Sequence, residues 1–171
     1  MERKRNGKES TPSLLAIDSQ SVKIVQFINQ ETGIDGDKNV NGRKRTILVD
    51  TLGLPFSIKV TAANISDNQA GILAVDLLKG KVSRLQKIIA DMGYKNTFQE
   101  YIEVNYKWEV EIAQKPESTK GFIPQKKRWQ VERSFGWLNF RRRLFRDVEK
   151  TIASAEAMLQ IAFISFIINK L

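Results

Sequence analysis

TILVDTLGLPFSIKVTAA, residues 46–63, decides how the chain is read. TILVD is a short run dominated by β-branched and apolar residues. FSIKVTAA alternates apolar and polar positions at the two-residue period of a half-buried strand. Between them, TLGLP brings a Gly and a Pro close together, which marks a turn. The stretch therefore predicts a β-hairpin. Upstream, LLAID at 14–18 is an apolar run closed by an acid, and it predicts a buried strand with Asp18 at its exit. SQSVKIVQF continues it in an extended or irregular way. Residues 29–41 are rich in Gly, Asn and Asp and read as a loop. GRKR at 42–45 reads as a basic turn leading into the second strand.

Downstream of the hairpin the pattern changes period. Ser66 and Gln69 form a capping-box pair, so a helix is expected over about 67–79, stopping at Gly80. LQKIIAD at 85–91 is a fourth strand that again closes on an acid, Asp91. Thr97 and Glu100 repeat the capping pattern for a short helix to about 104. WEVEIAQ at 108–114 alternates as a fifth strand, and KPESTKGFIP at 115–124 is a loop. Pro124 suits the first turn of a helix reaching about Phe145. The last helix, about 152–169, is apolar nearly all round and is expected to be buried. Residues 1–13 read as a flexible basic arm, and 14–171 as one domain, which the length of 171 residues allows.

The chain carries 28 Lys and Arg against 19 Asp and Glu, a net charge of +9. Nine of those bases and a single acid, Glu132, fall within residues 120–146. The excess charge is therefore local, which points to a polyanionic partner, most simply nucleic acid. There is no Cys, hence no disulfide framework and no thiolate metal site. There is no His either, so any catalysis rests on carboxylates, Lys, Ser, Thr or Tyr. The N-terminus has no apolar core of a signal peptide, and the longest apolar run, 157–168, is shorter than the roughly 20 residues a bilayer needs. A cytoplasmic protein is expected.

Two strands end in Asp. If the first and fourth strands are adjacent and parallel, Asp18 and Asp91 emerge side by side. Two carboxylates that close ionise together only with a cation between them, and hard divalent ions such as Mg²⁺ take oxygen ligands. Glu132 on the basic helix could add a third carboxylate from above. Each acid also has a plainer reading. Asp18 could start an Asx-turn with Ser19, Asp91 could be a turn residue before Gly93, and Glu132 could pair with Arg128 one helical turn away.

The order of elements is that of a ribonuclease-H-like fold, a mixed five-stranded sheet (β-β-β-α-β-α-β-α) with helices on both faces and an extra C-terminal helix. Five blocks, in order, strengthen this: IDSQSVK (17–23), GRKRTILVDTLGLP (42–55), ADMGY (90–94), GFIPQKKRWQVERSFGWLNFRRRLFRDVE (121–149) and the tail AEAMLQIAFISFIINKL. Together they resemble the catalytic part of the DDE transposases of bacterial insertion sequences, in the branch grouped with types four and five. The resemblance spans about residues 12–171. It implies that Asp18, Asp91 and Glu132 are the catalytic, metal-holding acids. It also implies two Mg²⁺ or Mn²⁺ ions, and DNA cleavage and strand transfer at element ends.

Three departures accompany the resemblance. Thr46 stands where the family commonly has His. Related enzymes flank the Glu with a Tyr, an Arg and a Lys; Arg128 occupies the Arg position, but Gln125 and Asn139 stand where Tyr and Lys would be. Full-length relatives also have a further N-terminal region, so the product of an upstream reading frame is an expected partner. Other expected partners are double-stranded DNA and further copies of the chain. The bases expected to grip phosphates are Lys38, Arg43, Lys44, Arg45, Lys126, Lys127, Arg128, Arg133, Arg141, Arg142 and Arg143. Trp129 and Trp137 could stack on an unpaired base or pack against the last helix. Another nuclease of the same fold, or a non-catalytic DNA-binding remnant, are the alternatives.

Overall fold

The computed structural model describes residues 2–28, 30–113 and 128–168. Six strands form one mixed sheet: β1 (Leu14–Lys23), β2 (Gly33–Asp35), β3 (Val40–Val49), β4 (Pro55–Ala62), β5 (Lys87–Ala90) and β6 (Glu109–Ile112). The helices are α1 (Glu2–Arg5), α2 (Asp67–Asp76), α3 (Thr97–Tyr106), α4 (Trp129–Asn139) and α5 (Ile152–Ile168). β3 is the hub. It pairs antiparallel with β1, β2 and β4, while β1 pairs parallel with β5 and β5 parallel with β6. The expected hairpin is present as β3–β4. Its turn is closed by Asp50, whose carboxylate accepts from the Leu52 and Leu54 N–H groups at 2.8 and 2.9 Å.

Side-chain alternation gives the sheet two faces. Leu15, Ile17, Leu48 and Ile88 face α2 and α3. Ala16, Ile47, Val49, Ile58 and Val60 face α4 and α5. Each face has its own apolar core, and LLAI of β1, ILV of β3 and IIA of β5 are short continuous hydrophobic runs for that reason. The Ser66 hydroxyl caps α2 by accepting from the Gln69 N–H at 3.3 Å. The N-terminus of α3 is capped differently from the Thr97 expectation: Asn68 of α2 accepts from the Phe98 N–H at 3.0 Å, so one helix caps the next.

Several expectations need correction. The sheet gains a short sixth strand, β2, from within the polar loop. β1 runs on to Lys23 because residues 16–23 pair with β3, so Asp18 lies within the strand. GRKR is not a turn. It lies inside β3, where Arg43, Lys44 and Arg45 are all buried. Residues 2–5 form a helical turn, and Arg3 pairs with the buried Asp50. α4 ends at Asn139 and is followed by a separate 3-10 turn, Arg142–Leu144. The start of the helix expected at Pro124 lies outside the described residues. α5 is not buried all round. Ala155, Leu159, Ala162 and Phe163 pack inward, while Ile161, Ile164 and Ile168 are exposed, because only one side of the helix meets the sheet and α4.

Candidate active site

Asp18 and Asp91 are brought together by strand register. Ala16 of β1 pairs with Ile89 of β5 in the parallel ladder. Continuing that register by two residues sets Asp18 beside Asp91, which follows the last residue of β5. The two-residue side-chain period puts Asp18 on the same face as Ala16, the face that α4 covers. Glu132 stands in the first turn of α4.

Three oxygens, one from each acid, converge on a single atom. Arg128 Nη2 lies 3.3 Å from Asp18 Oδ2, 3.6 Å from Glu132 Oε1 and 3.8 Å from Asp91 Oδ2. Oxygens within 3.8 Å of one nitrogen lie within twice that distance of one another. The acids, separated widely in sequence, therefore form one cluster. The three side chains remain open to solvent, at 17%, 30% and 35% exposure for Asp18, Asp91 and Glu132.

The plainer readings of Asp91 and Glu132 hold as well, and they do not compete with the cluster; that of Asp18 does not, because it lies inside β1 and starts no turn. Asp18 Oδ1 accepts from the Ser19 N–H at 2.8 Å. Asp91 Oδ1 accepts from the Gly93 N–H at 2.9 Å and caps the 3-10 turn Met92–Tyr94. Each aspartate thus anchors one oxygen to its own backbone and turns the other towards Arg128. Glu132 pairs with Arg128 along the helix. What the plainer readings leave unexplained is that all three point to one place.

Burial pushes the Asp18 carboxyl up to about 6, against the pull of Arg128 and the Ser19 N–H, with the nearby Asp91 charge adding to the rise. A site that resists ionisation of its own acid is one that a further cation would stabilise. The donor set is all carboxylate oxygen, which suits Mg²⁺ or Mn²⁺. Among the described residues, no three acids stand close enough together to hold a metal ion as they are placed. In this arrangement they are spaced around the guanidinium.

The site rests on a second layer that the sequence reading missed. The buried Tyr94 hydroxyl meets Ser19 Oγ at 2.5 Å, and Ser19 Oγ meets Thr46 Oγ1 at 2.9 Å. This chain ties the Asp91-bearing turn to β1 beside Asp18. Thr46, at the position where the family commonly has His, belongs to it. The Asn68 amide donates to Gly93 O at 2.9 Å and holds the same turn from α2. Asn139, where related enzymes have Lys, accepts from the Gln20 amide at 3.2 Å and pins the far end of α4 to β1. Tyr94 was visible as the last residue of ADMGY, but its partner lies 75 positions away in the chain.

The bases expected to grip DNA divide into distinct groups. Arg43 is fully buried and donates to the carbonyls of Glu149, Gln30, Lys150 and Thr151 at 2.8–3.3 Å, with Asp147 at 3.4 Å. Arg45 donates to Leu144 O at 2.7 Å. Lys44 donates to Ile65 O at 2.7 Å and pairs with Asp67 at 2.8 Å. These three cross-link the chain internally and present no charge to a ligand. Arg133 is likewise engaged, sandwiched between the Trp129 and Trp137 rings at 4.6 and 4.8 Å and donating to Leu52 O at 2.8 Å. Trp137 also packs on Phe166 of α5, at 5.7 Å between ring centroids. Arg141 lies over the Phe166 ring and donates to Ser165. Lys38 and Arg142 are exposed, as is Arg143, which pairs with Glu149 at 2.8 Å. Trp129 keeps 41% exposure. Lys126 and Lys127 lie outside the described residues.

Comparison with known proteins bears on the fold and the family. The catalytic core domain of BIV integrase superposes with a TM-score of 0.55 at 15% identity, covering 90% of this chain and 82% of that one. A chain of the simian T-cell lymphotropic virus intasome, solved with the PP2A regulatory subunit B56 gamma, superposes with a TM-score of 0.52 at 16% identity. This match covers 91% of the present chain and 48% of the intasome chain. At such identities the likeness establishes the ribonuclease-H-like fold, extended here by α5. No curated protein matches the sequence. Residues 9–168 match the family described as the transposase DDE domain, and the chain belongs to that family.

Proposed function

We propose that the chain is the catalytic domain of an insertion-sequence transposase, with Asp18, Asp91 and Glu132 as its catalytic acids. The observation that carries this reading is the meeting of one oxygen from each acid on Arg128 Nη2, at the point where β1 and β5 part and beneath the first turn of α4. The three acids would hold two divalent ions, Mg²⁺ or Mn²⁺. Such ions, when bound, activate an attacking oxygen and stabilise a leaving one.

The reaction is an in-line displacement at phosphorus without a covalent enzyme intermediate. Water attacks a phosphodiester at the element end and frees a 3′-hydroxyl, and that hydroxyl attacks a target phosphodiester. The protein's own work is positioning and charge balance. The Ser19 and Gly93 N–H groups fix the two aspartates, so that one oxygen of each stays aimed at the centre. The Tyr94–Ser19–Thr46 chain keeps the two acid-bearing segments in register. Lys38, Arg142, Arg143 and a released Arg128 would neutralise backbone phosphates, giving affinity but little sequence information. The exposed face of Trp129 could take an unpaired base. Double-stranded DNA and further copies of the chain are the partners, and the cytoplasm is the expected compartment.

A labelled duplex carrying the DNA that flanks the gene, incubated with Mg²⁺, tests the reading. Cutting followed by strand joining is expected. Cutting without joining would favour a nuclease of the same fold. Binding without cutting, unchanged by Asp91→Ala, would mark a DNA-binding remnant.

A further inference from the structure

Arg128 stands where the site wants a cation. Of its contacts through Nη2, only that to Asp18, at 3.3 Å, is a hydrogen bond, and a long one. The contacts to Glu132 and Asp91, at 3.6 and 3.8 Å, are electrostatic only. The strongest arginine–carboxylate pairs engage the guanidinium fork with one carboxylate through two short parallel bonds. Here, among the described residues, one nitrogen is shared by three carboxylates and no carboxylate takes two bonds from the fork. The Arg128 Nε is buried and has no hydrogen-bond partner among the described residues. The side chain acts as a shared point charge, with its directional capacity largely unengaged.

From this we propose that Arg128 is a tethered counter-ion. It holds the three carboxylates together in the metal-free protein, competes directly with the divalent ion for them, and is displaced when the ion enters. The proposal rests on the reading above that these acids hold a divalent ion. Loading the site then takes from Arg128 all three carboxylates it shares, and frees a guanidinium for a backbone phosphate. Metal loading and DNA grip are thereby coupled through one side chain. A residue that served only as a phosphate contact would have no reason to occupy the centre of the cluster.

The test is a titration of the full chain with Mn²⁺ alone, without DNA, following free Mn²⁺ by its paramagnetic resonance signal. Arg128→Gln removes the competing charge at contact distance, so it should bind Mn²⁺ roughly ten- to a hundredfold more tightly than the parent. The same variant should melt below the parent in EDTA and lose that deficit in saturating Mn²⁺. Unchanged or weaker Mn²⁺ binding by the folded variant would overturn the proposal and leave the metal reading standing. No Mn²⁺ binding by the parent, or binding that Asp91→Ala leaves undiminished, would overturn both. A measurement on the parent covers the case in which the variant does not fold. The side-chain Nε–Hε signal of Arg128 should shift with Mg²⁺ and saturate together with metal binding. A signal that stays fixed while metal binds would refute displacement.

Discussion

Asp18→Asn, studied without metal, isolates the strain in the acid cluster. Burial holds the Asp18 carboxyl at about 6 in the folded protein, above the ordinary value of 3.8. An acid with a raised folded value favours folding most when it is protonated. Its contribution is fully present below about pH 3.8 and is lost as pH rises through about 6. At pH 7.5 the ionised group therefore works against the fold. A rise of about two pH units corresponds to about 3 kcal/mol at most, at about 1.4 kcal/mol per unit. Asn keeps the acceptor for the Ser19 N–H but cannot ionise. It also weakens one contact to Arg128, so the net gain should be about 1–3 kcal/mol. For a domain of this size that is a rise in Tm of very roughly 3–10 °C. Denaturant unfolding in EDTA between pH 4 and 8 reads it out. Asp18→Asn should be the more stable protein at pH 7.5 and should lose that advantage near pH 4. A variant less stable than the parent at pH 7.5, or a difference that does not vary with pH, would refute the reasoning.

Three further substitutions probe the frame around the site. Arg43→Ala should destabilise by about 3–5 kcal/mol in denaturant unfolding, because it leaves the buried Asp147 without its paired cation and several chain carbonyls without the Arg43 donor. Gly53→Ala should cost about 1–3 kcal/mol and slow DNA cleavage. Gly53 has a φ of +80°, and a Cβ there would stand 3.1 Å from the Arg133 and Ser134 side chains by which α4 docks on the hairpin turn. Tyr94→Phe should cost about 1–2 kcal/mol in thermal or denaturant unfolding, since it removes a buried hydroxyl bonded to Ser19. It should also weaken Mn²⁺ binding, by loosening the Asp91 turn relative to β1.

The parts of this molecule readable from sequence are those set by short-range pattern. The hairpin was readable because period-two alternation flanks a Gly and Pro turn. The two aspartates were readable because each closes an apolar run, although β1 runs on past Asp18. The convergence of Asp18 and Asp91 needed only the assumption that two strands are parallel neighbours, which the Ala16–Ile89 pairing satisfies. What misled was charge without context. GRKR looks like a surface turn, yet Arg43 meets Asp147 across 104 positions of chain, and no local signal announces that partner. Arg133 looked like a phosphate ligand because helical spacing does not reveal that Trp129 and Trp137 close around it. α5 looked like a core helix because composition reports how apolar a helix is, not how many sides of it are covered.

The central claim is that Asp18, Asp91 and Glu132 share a cation. Diffraction from crystals soaked in Mn²⁺, recorded for the anomalous signal of manganese, tests it most directly. One or two anomalous peaks are predicted, with carboxylate oxygens at about 2.1 Å. Asp18 and at least one of Asp91 and Glu132 should supply ligands to the same ion, and Arg128 should be turned away. Peaks elsewhere on the molecule, or an Asp18 still paired with Arg128 in crystals that have taken up manganese, would contradict it.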